Sequence, residues 1–77
     1  MIIDVRGLHH PDHLKEFRRR LEGFCTVREG IDVLMDNNRD DVRKFEMFVR
    51  SCRGRYVIHE EGDHLLMKIE ESLSFCG

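Results

Sequence analysis

Residues 7–17 read GLHHPDHLKEF and hold three of the chain's five histidines, His9, His10 and His13, with its one proline, Pro11. Imidazoles one helical turn apart can converge on zinc or another transition metal such as nickel or copper, here with Asp12 as ligand or orienter. The positive end of a helix keeps such rings neutral and able to ligate, although the same field opposes a bound cation. Acid–base catalysis is the other chemistry these residue types allow. The sequence offers no recognisable set of nucleophile, base and orienting group for it, and so short a chain leaves little room for a substrate cleft. The plainest expectation is that Asp12 complements the helix dipole and the histidines are partly exposed polar residues beside a loop.

The cysteines offer a second chemistry. Cys25, Cys52 and Cys76 are odd in number and contain no Cys-x-x-Cys pair, which argues against a disulfide framework and an all-cysteine zinc site. Each is expected to be a free thiol, with Cys25 and Cys52 buried. Cys76 lies next to the end of the chain, and a thiol on a mobile arm can carry sulfur to a partner's active site. In that one feature it resembles sulfur-relay proteins of the DsrC type.

The elements that must position these groups follow from pattern. MIIDV is an apolar run closed by Arg6-Gly7 and predicts a buried strand ending in a turn. Pro11 suits the first position of a helix, and Leu14, Phe17 and Leu21 recur along it at helical spacing until Gly23. FCTVREG is expected to be a loop or an irregular return to the sheet. IDVLM predicts a second strand, and Asn38 is placed to cap a second helix whose first turn carries Asp40 and Asp41. Val42, Phe45, Phe48, Val49 and Cys52 trace its apolar face up to Gly54. RYVIHEEGDHLLMKIE reads as two strands joined at Glu61-Gly62-Asp63, the second alternating through Leu65, Met67 and Ile69. The order is β-α-β-α-β-β. Two helices with one apolar stripe each need a sheet to cover, so the expected fold is an α+β two-layer sandwich with both helices on one face. Residues 1–72 form the single domain of this reading, and 73–77 are an aperiodic tail expected to fray.

Composition narrows the function classes. The chain has 77 residues, 36% of them charged, and a formal net charge of −2, which argues against a strong nonspecific grip on nucleic acid. Arg18, Arg19, Arg20, Arg50, Arg53 and Arg55 are interspersed with Glu16, Glu22, Glu46, Asp40 and Asp41. A mixed, solvated helical face accounts for this better than RNA binding, since Tyr56 alone offers little stacking area, and such a surface could equally dock an acidic protein partner. No apolar run reaches the roughly 18 residues of a membrane span, and no signal peptide precedes the first strand, so a cytoplasmic protein is expected.

Taken in order, these residues resemble the TusA/SirA-like family of small sulfur-carrier proteins. The likeness runs through Asp4-x-x-Gly7-Leu8, Pro11 opening a helix, Gly30, IDVLMD, the polar DNNRDD turn, Phe48 and Gly54, and it spans nearly the whole chain. The resemblance implies a four-stranded mixed sheet with two helices on one face. It also implies a site at the start of the first helix, where family members carry Cys-Pro-x-Pro and the cysteine bears a persulfide. Here the matching residues are His10-Pro11-Asp12-His13. An imidazole cannot hold a persulfide, so this chain is expected to be a noncatalytic or altered member. It would dock a protein partner, such as a member of a sulfur-relay system, through His9, His10, Asp12, His13, Arg18 and Arg19. Metal binding by His9, His10 and His13, and sulfur carriage displaced to Cys76, are the rival expectations.

Overall fold

Alternation decides which side of each strand is buried. In the computed structural model, which describes residues 1–70 and 73–74, Ile31, Val33 and Met35 point inward from one strand and Leu65, Met67 and Ile69 from another. The elements are β1 (Ile2–Asp4), α1 (Asp12–Arg20), β2 (Thr26–Val27), β3 (Ile31–Asp36), α2 (Arg39–Ser51), β4 (Arg55–Glu61), β5 (His64–Glu70) and β6 (Leu73–Ser74). Four of the strands form one mixed sheet in the order β1-β3-β5-β4. In it β1 runs parallel to β3, while β5 is antiparallel to both of its neighbours. One cross-strand row, Ile3–Val33–Met67–Ile58, lies on the covered face, and the next, Asp4–Leu34–Leu66–His59, lies on the open one. The α+β sandwich with a mixed four-stranded sheet is therefore as expected.

Two helical stripes close the covered face. Residues 13, 17 and 21 stand one turn apart on and just beyond α1, and residues 41, 45 and 49 do the same on α2. All six are buried. Phe17 and Phe45 meet edge to face, with ring centroids 5.0 Å apart. Fully burying side chains of this size contributes about 1.5–3 kcal/mol each.

The helix ends differ slightly from the expected positions. Pro11 precedes α1 rather than opening it, and its carbonyl accepts the N–H groups of Leu14 and Lys15. Asn38 caps α2 as expected, its side-chain oxygen accepting the N–H groups of Asp40 and Asp41 at 3.1 Å. Gly62 and Asp63 make a two-residue hairpin turn, with Gly62 at a φ of +74° that a side chain would oppose.

Some details depart from expectation. The segment after α1, expected as a loop or an irregular return to the sheet, pairs Thr26–Val27 antiparallel with Leu73–Ser74 as a separate two-stranded sheet. By the same pairing, residues 73 and 74 are not a fraying tail. Leu73 is 1% exposed in the core, and the Ser74 N–H donates to the Cys52 carbonyl. Apolar contact with Val27 is what holds them, and two-residue strands leave no period to read. Cys25 is also corrected, being exposed and disulfide-bonded rather than a buried free thiol. Cys52 is a buried free thiol as expected. Cys76, and with it the expectation of displaced sulfur carriage, lies outside the described residues.

Candidate functional site at the α1 N-terminus

The two facing stripes each begin with a polar residue, His13 on α1 and Asp41 on α2, and the fold brings them together. The His13 Nε2 lies 2.9 Å from the Asp41 carbonyl oxygen. A carbonyl can only accept, so Nε2 carries the ring proton. His13 is 1% exposed and its Nδ1 is buried without a hydrogen-bond partner. Its ring packs edge to face on Phe45 at 5.4 Å and on His10 at 5.6 Å. The expectation of a partly exposed His13 is thus wrong. The signal was its place one turn before Phe17.

Asp41 is the residue that charge-based reading missed. Its side chain reaches across to the loop before α1, where Oδ2 accepts the His9 Nδ1–H at 2.8 Å and Oδ1 accepts the His10 N–H at 3.0 Å. A second carboxylate helps, since Asp36 Oδ2 accepts the Gly7 N–H at 2.8 Å. The DNNRDD turn therefore does three things. Asp36 and Asp41 pin residues 7–10, and Asn38 fixes the helix start from which Asp41 projects. Burial pushes the Asp41 carboxyl up, but the His10 N–H and the His9 ring outweigh it and hold the group below the usual carboxylate range. The hydrogen bond to Asp41, reinforced by its charge, raises His9 above the ordinary imidazole value.

The product is an oriented imidazole. Asp41 holds the His9 Nδ1, and the His9 side chain is 68% exposed. A carboxylate–histidine pair of this kind can hold and release a proton at Nε2. The helix end itself is largely occupied: the His13 N–H donates to the His9 carbonyl, and those of Leu14 and Lys15 donate to Pro11. His10 is exposed at the end of this pinned loop, and Asp12 is exposed in the first turn of α1. Among the described residues, no group of three or more His, Cys, Asp or Glu side chains is placed to hold a metal ion. Of the three histidines, His9 gives Nδ1 to Asp41 and keeps an exposed Nε2, His10 is exposed, and the His13 ring is enclosed in the core.

Arg18 and Arg19 stand about two turns along α1 from the histidines. The Arg18 guanidinium sits 6.0 Å from the centroid of the Phe48 ring. Arg19 grips Glu16 through two contacts of 2.9 and 2.8 Å, and with Arg20 it pulls the Glu16 carboxyl down to about 2. His59 is exposed on β4, whereas His64 pairs with Asp63 at 3.2 Å beside the hairpin turn. Neither joins the first cluster. No helix is long and apolar enough to cross a membrane among the described residues.

The His9–Asp41 latch makes a testable contribution. Asp41→Ala is expected to lower the unfolding free energy by about 1–2 kcal/mol, the usual scale for hydrogen bonds to a charged acceptor with one partner near solvent. His9 has a raised value when folded, so its share is complete below the ordinary 6.5 and is lost as pH rises through the folded value. Asp41 has a lowered value, so its share is present above the ordinary 3.8 and is lost on acidification below it. The latch is therefore fully engaged between those two pH values. Urea unfolding across pH is expected to show wild-type stability falling above 6.5 and Asp41→Ala falling less. Equal slopes for the two proteins would dismiss the latch.

No family model, curated protein or solved structure matches the chain.

Proposed function

We propose that this chain is a protein-docking module on the plan of the TusA/SirA-like sulfur carriers, with His10 standing where those carriers bear their persulfide cysteine. The observation that carries this reading is the Asp41 clamp. It spends a buried carboxylate on holding the exposed His9 ring and the backbone of His10 in one place at the α1 tip. A solvated loop needs no such clamp, whereas a surface read by another protein gains affinity from being held in place beforehand. Imidazole contributes no sulfur atom to transfer, so recognition rather than carriage is assigned to His9, His10 and Asp12. The element order, the sheet and the motif positions support the family likeness, and the partner in this reading belongs to a sulfur-relay system.

Two measurements test the reading. A photo-crosslinking residue at His10 is expected to yield discrete products in native lysate that excess unmodified protein competes away. Absence of competable products would overturn docking at this tip. Incubation with a cysteine desulfurase and cysteine is expected to leave the intact mass unchanged. A gain of one sulfur atom would make the protein a carrier after all.

A further inference from the structure

A groove of about 510 Å³ lies along the C-terminal half of α1 and the turn that follows, between Lys15, Arg18, Glu22 and Phe24. Its chemistry is mixed. Phe24 is 52% exposed, and its N–H is tied to the Leu21 carbonyl at 3.2 Å, so the ring is presented by an ordered turn. The groove's apolar lining comes from the buried Leu21 and from Phe24 itself. Among the described residues, neither Lys15 nor Arg18 has an acidic partner within ion-pair distance, whereas Arg19 and Arg20 close by share the one carboxylate of Glu16. A preference for cations at a helix C-terminus accounts for arginines in the last turn. It accounts for neither Lys15, which sits earlier, nor an exposed phenylalanine beside it.

We infer that this groove receives an acidic polypeptide segment, with an apolar side chain of the partner seated against Phe24 and Leu21 and flanking carboxylates meeting Lys15 and Arg18. The inference rests on the docking reading above and gives the partner a chemistry. Charge complementarity of this kind sets partner choice and encounter rate, and an aromatic anchor supplies the affinity. RNA fits less well. The groove's few cations hold few phosphates, and the affinity of nucleic-acid binders grows with the number held. Glu22 can accept an N–H from a peptide backbone.

The test follows backbone amide shifts of the whole chain while a synthetic peptide is added, one aromatic residue flanked by Asp and Glu. Shifts are expected to gather at residues 15–24 and to leave His9 and His10 unmoved. Lys15→Glu combined with Arg18→Glu is expected to weaken binding at least about tenfold, as is Phe24→Ala, each with the native dispersion of amide signals retained. Should the double reversal unfold the chain, Lys15→Gln with Arg18→Gln serves in its place with a smaller loss. An undisturbed groove, or equal binding by the variants, overturns the inference. Tighter binding of a uridine oligonucleotide at the same residues overturns it in favour of RNA. Self-association that occludes Phe24, seen by sedimentation, overturns it in favour of a second copy. Competable crosslinks at His10 with a silent groove would leave docking standing and remove only this site. Shifts in the groove without crosslinks at His10 would do the reverse.

Discussion

Phe45→Ala is expected to lower the unfolding free energy by about 3–5 kcal/mol, the range for emptying an aromatic site in a core. Phe45 is completely buried and is the ring on which both Phe17 and His13 rest. Neither neighbour can collapse into the space: Phe17 is held in its own helix, and His13 is tied to the Asp41 carbonyl. A domain of this length has roughly 4–12 kcal/mol of stability in all, so the loss is a large fraction of it. The change should also be felt at the surface. With His13 loosened, the Asp41 turn is less firmly placed, and the His9 titration is expected to drift back towards the ordinary 6.5. Urea unfolding and a histidine proton titration check the two parts separately. Phe48→Ala, at a half-buried position on the same helix, is the comparison and should cost clearly less. Equal costs would mean that the Phe17–Phe45–His13 stack is not the centre of the core.

Gly54→Ala is expected to cost about 3 kcal/mol, at the upper end of the range for overpacking. A methyl group there would run into the Leu73 side chain and come within 2.8 Å of Val49 Cγ1 and 3.2 Å of the Val49 carbonyl oxygen. Leu73 can swing aside only by leaving the core. The Val49 carbonyl cannot move, because it accepts the N–H groups that close α2, including that of Gly54 itself. Thermal unfolding measures the loss. Gly30→Ala is the control, since its added methyl would meet only the Ile69 carbonyl oxygen at an ordinary 3.8 Å. If the two alanines are equally tolerated, the packing of β6 against the end of α2 is looser than described.

What could be read in advance was whatever repeats. Leu65, Met67 and Ile69 declare a strand and its buried side, and the stripe from Val42 to Cys52 declares a helix and its core face. Asn38 and Gly62 mark a cap and a turn through chemistry that is local to a few residues. The site was harder because its key contact is not local. Asp41 looked like a helix-start acid, which it also is, and nothing in its neighbours says that its carboxylate crosses to residues 9 and 10. Spacing did contain a hint. Asp41, Phe45 and Val49 lie on one stripe, as do His13, Phe17 and Leu21, so each polar residue heads a buried row. A polar group at the head of such a row must find a partner, and the other row's head is the nearest candidate. The β2–β6 pair left no hint at all, because two residues cannot show alternation.

That small sheet has a kinetic consequence. Val27 and Leu73 belong to opposite ends of the folding problem: one precedes β3, and the other follows β5. Their pairing requires nearly every intervening element to be in place, so the entropic cost of closing so long a loop precedes its reward. The clip is thus a late event in assembly, and changes at Leu73 should speed unfolding more than they slow folding.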